Sequence, residues 1–115
     1  MIGKVVSGQG KGTFYVQRYA AELQRVLGFF PYGGTLNIQL PEEPILPPAK
    51  KQGVILKNYG LVDCYPVLVQ KKYKGAIVRP HQTTNPPEIV EMIAPVNLRD
   101  ALHLKDGDDL ECELA

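Results

Sequence analysis

The chain has 115 residues, 44% of them hydrophobic and 22% charged, with 11 Gly and 10 Pro. This is one domain of ordinary globular composition, which excludes disordered, collagen-like and low-complexity classes, and no run of about 18 apolar residues offers a membrane-spanning helix. The net charge of +1 hides an asymmetry: residues 1–87 carry 11 basic and 4 acidic side chains, residues 88–115 carry 2 and 8. The basic residues are scattered rather than blocked, which favours a solvated surface over a polyanion footprint.

In chain order, the N-terminus MIGKVVSGQGKG lacks the apolar stretch of a leader, so a soluble cytoplasmic chain is expected. Gly3–Ser7 reads as a first strand. The glycine-rich run Ser7-Gly8-Gln9-Gly10-Lys11-Gly12-Thr13 follows it. Val16, Tyr19, Ala20, Leu23, Val26 and Leu27 then recur at helical spacing, and Gly28 is the expected stop. Thr35–Leu40, Val54–Leu56, Gly60–Val69, Gly75–Arg79, Glu88–Ala94 and Asp109–Leu114 alternate as strands do, and Tyr73-Lys74-Gly75 suggests a hairpin turn. Pro41–Lys51, with four prolines, is expected to be an extended surface loop. Leu98–Leu102 fits a short helix capped by Asn97, with Asp100 in its first turn.

Many short strands with one main helix and one short helix predict a mostly-β fold, a small barrel whose open end the main helix plugs. Strands do not alternate with helices, which excludes a doubly wound sheet. Cys64 and Cys112 stand in apolar or alternating stretches, with no CxxC and only two histidines, His81 and His103. They read as small buried residues rather than as a disulfide or a zinc site.

Three stretches carry chemistry. The glycine run between strand and helix lets backbone N–H groups converge on a phosphate, with the helix N-terminus adding positive potential. It is neither a P-loop, since Gly12 follows Lys11, nor a dinucleotide fingerprint. Thr35 and Asn37, two apart on a strand, share a face and offer hard oxygen ligands suited to Mg²⁺; the alternative is two polar residues facing solvent. Phe29, Phe30 and Tyr32 beside them read as core or as the wall of a flat ligand's slot. Glu91 lies among Val90, Met92 and Ile93, so its carboxylate is either paired or the outward residue of a half-buried strand. Arg99 is placed to meet an anion. No Ser/His/Asp or Cys/His nucleophile system can be assembled.

Together these stretches resemble the archaeal CTP-dependent riboflavin kinases. The matching segments are SGQGKG (Ser7–Gly12), LGFFPYGGTLN (Leu27–Asn37), GAIVRP (Gly75–Pro80) and EIVEMIAPVNLRDALHLKDGD (Glu88–Asp108), in order across nearly the whole chain. The resemblance implies a six-stranded cradle-loop barrel that transfers the γ-phosphoryl group of CTP to the 5′-hydroxyl of riboflavin, giving FMN and CDP. It implies nucleotide binding by Gly8, Gln9, Gly10, Lys11, Gly12 and Thr13, and by Val96, Asn97, Leu98 and Arg99. Mg²⁺ falls to Thr35 and Asn37, and the flavin to Thr83 and Glu91, with Glu91 as candidate base. Many relatives have glutamate where this chain has Lys11, a change expected to strengthen nucleotide binding. Some relatives carry an N-terminal winged-helix domain that has no counterpart here, so a single domain over residues 1–115, a monomer without nucleic-acid or membrane partners, is expected. The rival readings are a flavokinase with relaxed or ATP donor preference, a flavin-binding protein without turnover, and a nucleic-acid-binding barrel.

Overall fold

The computed structural model describes residues 1–8 and 11–115, and only the backbone of residues 11–13. Seven strands, β1 (Ile2–Val6), β2 (Leu36–Gln39), β3 (Gln52–Leu56), β4 (Gly60–Val69), β5 (Tyr73–Pro80), β6 (Ile89–Ile93) and β7 (Asp109–Leu114), form one antiparallel sheet. Its order is β3-β4-β5-β6-β2-β1-β7, and β7 returns to pair with β4 through Val67↔Leu114, Leu68↔Glu113 and Val69↔Cys112. Six strands therefore close into the expected ring, and β3 is a seventh strand paired along the first half of β4. Closure leaves none of the six with a free edge.

The pleat sorts the side chains. Val5, Ile38, Val67, Ile77, Met92 and Leu110 come one from each of the six ring strands and belong to one buried cluster, which is the barrel interior. Leu98, from the short helix α3 (Leu98–Ala101), inserts into the same cluster, and Asn97 caps that helix by accepting from Asp100 N at 3.2 Å.

The residues between these on β4, β5 and β6 point outward. Val62, Cys64, Ala76, Val78 and Ile93 form a second buried cluster with Tyr15, Val16, Tyr19 and Leu23. The main helical segment thus covers the outside of the barrel wall and does not plug an end. Ring-interior positions are already filled from all six strands, so the outer apolar rows of β4–β6 are what remains for a helix to cover.

That segment is also two helices, α1 (Lys11–Arg18) and α2 (Ala20–Leu27). At the joint Tyr19 departs from helical geometry (φ −111°, ψ 23°), while Tyr19 N→Tyr15 O and Leu23 N→Tyr19 O bonds of 2.9 and 3.0 Å run through it. The Tyr19 hydroxyl is anchored on the Lys57 carbonyl beside β3. Gly28 ends α2 in the left-handed conformation, φ 79°.

The β4–β5 turn also differs from expectation. Gln70 and Lys71 take positive φ (52° and 55°), and Lys72 N bonds Val69 O at 3.0 Å, as a type I′ turn requires. Tyr73–Gly75 lies within β5. Gly75 is there because a Cβ would stand 2.9 Å from the Ile93 carbonyl oxygen, not because the chain turns. Both cysteines are free and buried, as expected. Among the described residues no helix is long and apolar enough to cross a membrane.

Candidate functional site

The site lies on the outer wall, where β1, β2 and β6 run side by side. Asn37 stands across from Val6 on one side and Glu91 on the other. The alternation that buries Leu36 and Ile38 inside the barrel turns Asn37 outward, yet Asn37 is only 8% exposed. Its Oδ1 has no hydrogen-bond partner among the described residues. Gly8, just past β1, lies against this side chain: a Cβ at Gly8 would stand 1.8 Å from Asn37 Nδ2. The glycine is thus required for close approach of the loop to Asn37.

Glu91 is half-buried beside it. Burial pushes its carboxyl above the ordinary carboxylate range, while the hydrogen bond from the Thr35 hydroxyl and the positive charge of Arg79 pull the other way and lose. Thr35, Asn37 and Glu91 therefore form one polar cluster. The Thr35 hydroxyl lies against the Glu91 carboxyl and lowers its proton affinity.

On one flank the cluster meets α1. Tyr15 is 3% exposed, its hydroxyl has no hydrogen-bond partner among the described residues, and its ring stacks on Tyr59 with centroids 4.9 Å apart. Burial, reinforced by the negative charge of Glu91, raises the Tyr15 phenol well above its usual value. Gln82 bonds the Tyr59 carbonyl and Arg79 Nη2 donates to Pro87 O at 2.7 Å, so the β5–β6 loop is pinned to this flank. Thr83 sits exposed in that loop. Its N bonds Pro80 O at 3.0 Å and its Oγ1 accepts from Asn85 N at 3.2 Å; both bonds lie within its own loop.

On the other flank a cavity of about 170 Å³ is lined by Thr35, Tyr32 and Val96–Arg99 among others. Tyr32 N bonds Ala94 O at 2.7 Å and fixes one wall. Phe30 and Tyr32 are exposed, while Phe29 packs on the outer cluster. Arg99 Nη1 lies 3.0 Å from Asp106 Oδ1, and the Ser7 hydroxyl donates to the other Asp106 oxygen. Together they hold the Asp106 carboxyl below its usual range. One aspartate thus ties Ser7, at the start of the glycine run, to Arg99, 92 residues further along the chain.

Of the expected residues, Gly8, Thr35, Asn37 and Glu91 come together, and Val96, Asn97, Leu98 and Arg99 border the same Thr35. Gln9 and Gly10 lie outside the described residues, as do the side chains of Lys11 and Thr13. The backbone of Lys11, Gly12 and Thr13 is not loop but the first turn of α1. Tyr15, Tyr59, Arg79 and Asp106 were not singled out by sequence. Tyr15 stands four residues before Tyr19, beside the apolar stripe that hides it, and Asp106 reads as an ordinary turn residue.

The residues present fit a small hard cation. Asn37 Oδ1 is an unused oxygen, Thr35 adds a second, and a site with few protein ligands suits Mg²⁺, which keeps waters and binds substrate phosphates. Among the described residues no group of three or more His, Cys, Asp or Glu gathers to hold a metal otherwise.

Fold and site together define a small closed β-barrel with a carboxylate-centred polar site on its outer wall, between a glycine turn and a helical cover. Residues 5–114 match the family model for the CTP-dependent riboflavin kinase domain, described as domain of unknown function DUF120, and the chain belongs to that family. It is 43% identical to the riboflavin kinase of Thermococcus kodakarensis over 99% of this chain and 58% of that protein. It is 42% identical to the riboflavin kinase of Methanocella arvoryzae, over 99% of this chain and 56% of the relative. The riboflavin kinase of Pyrococcus furiosus is 45% identical over 94% of this chain and 55% of its own length. The chain thus spans somewhat over half the length of these relatives.

Proposed function

We propose that this chain transfers the γ-phosphoryl group of CTP to the 5′-hydroxyl of riboflavin, with Mg²⁺, giving FMN and CDP. The observation that carries this reading is the orphaned Asn37 oxygen beside Thr35 and Glu91, set against Gly8 on residues that match the family's motifs. Bound Mg²⁺ supplies charge neutralisation on the transferring phosphoryl group. Thr35 and Asn37 hold it, and Gly8–Thr13, at the start of α1, cradle the nucleotide phosphates. Val96–Arg99 bind the cytidine side, with Arg99 held in place by Asp106. Thr83 and Glu91 hold the flavin. The 5′-oxygen attacks the γ-phosphorus, the bond to the β-phosphate oxygen breaks, and the hydroxyl proton passes to the Glu91 carboxylate. A carboxylate whose proton affinity is raised by burial is the better acceptor for that proton.

The test is FMN formation, followed by chromatography, from riboflavin and Mg²⁺ with CTP, ATP, GTP or UTP in parallel. FMN from CTP alone is expected. FMN from ATP as well would keep the kinase and remove strict base selection by the 96–99 segment. Folded protein that binds flavin yet makes no FMN with any donor would leave a binding module.

A further inference from the structure

The second orphaned polar atom of this wall is the Tyr15 hydroxyl. An unpaired buried hydroxyl costs stability that a phenylalanine of the same shape would not. Its surroundings place it close to Glu91, whose charge acts on the phenol. Tyr15 packs in one cluster with Val78 and Ile93. Val78 is the cross-strand partner of Glu91, and Ile93 is the next residue on the same face of β6. Tyr15 therefore covers the wall at Glu91, next to Ile93, whose other neighbours line the cavity with Val96–Arg99. Tyr59 stacks on its ring, and Gln82 ties Tyr59 to the loop carrying Thr83.

We infer that Tyr15 is an acceptor-binding residue: its hydroxyl donates a hydrogen bond to an oxygen of the flavin held at Glu91, and the Tyr15–Tyr59 pair walls the flavin side of the site. This rests on the function proposed above and adds a contact to it. The nucleotide is assigned to Val96–Arg99 and to the backbone at the start of α1, and the Tyr15 side chain is given no contact with it. Because the phenol stays protonated far into the alkaline range, the donor is present at every working pH.

Tyr15→Phe deletes the one atom. Riboflavin binding, read by quenching of flavin fluorescence, should weaken by about five- to tenfold, the worth of one neutral hydrogen bond. CTP binding should be unchanged, and the melting temperature of the ligand-free variant should equal or exceed that of the wild type. In a cycle with Glu91→Gln the two losses should be less than additive if both groups hold the same part of the flavin. Riboflavin binding within twofold of wild type would overturn the inference. So would a lower melting temperature of the free variant, which would mean that the hydroxyl has a structural partner; this outcome needs no ligand. Wild-type protein that neither binds riboflavin nor makes FMN would remove the proposed function, and this contact with it. Wild-type turnover with an unaffected Tyr15→Phe would remove the contact alone.

Discussion

Glu91 is held partly out of water at a point where the proposed chemistry needs a carboxylate. Its raised proton affinity in the folded state fixes the sign of a pH effect. Between the unfolded value near 4.5 and the higher folded value, the native state binds the proton more tightly, so stability falls as pH rises through that window. Above it the whole cost of the buried charge remains. Glu91→Gln should therefore melt higher than wild type at neutral pH, and the difference should shrink as pH falls through that window toward 4.5. The same variant should lose about 100-fold or more in turnover, the usual worth of a general base. Thermal melts at acid and neutral pH, run beside the FMN assay, check both halves. A lower neutral-pH melting temperature would mean that Thr35 and Arg79 outweigh burial.

The elements place these residues by register, and register explains what could be read from sequence. Thr35 and Asn37 were legible because a strand puts i and i+2 on one face. Glu91 was legible because it interrupts an apolar run. Their meeting was not, since it depends on β2 pairing on its second side with β6, a strand some fifty residues further along the chain. Tyr15 and Asp106 were hidden for the same reason, because each acts only through a partner far along the chain. Gly75 is the instructive miss. Glycine next to lysines reads as a turn, yet its role is to let β5 lie against the carbonyl of Ile93. Gly75→Ala forces a methyl to within 2.9 Å of a backbone oxygen, which can move only by parting β5 from β6. A destabilisation of about 1–3 kcal/mol is expected by urea unfolding. Because Ile93 is two residues from Glu91, FMN formation should fall as well. An alanine variant as stable as wild type would mean the barrel wall flexes there freely.

At the scale of the whole molecule, the fold is a closed ring with a helical layer on one side, and the two parts are held differently. Each ring strand is hydrogen-bonded on both sides, through β7 back to β4. The helical layer is held by side-chain packing of the outer cluster and by the Tyr19 hydroxyl on Lys57. Such a layer opens at lower free energy than the ring. The two cysteines report on the two parts separately. Cys64 lies in the outer cluster under the helices, and Cys112 lies in the barrel interior on the closing strand. Burial pushes the Cys64 thiol up to about 12 and raises Cys112 as well, so neither reacts as a thiolate in the closed protein. Pulse labelling with a thiol reagent, read peptide by peptide in a mass spectrometer, should modify Cys64 faster than Cys112. Saturating riboflavin, which the proposed site holds against Glu91 and Tyr15 of α1, should slow Cys64 and leave Cys112 unchanged. Equal rates for both thiols would mean that ring and cover unfold as one unit. The flavin would then have to enter through the loops flanking Glu91, because the helical layer would never lift from the wall on its own.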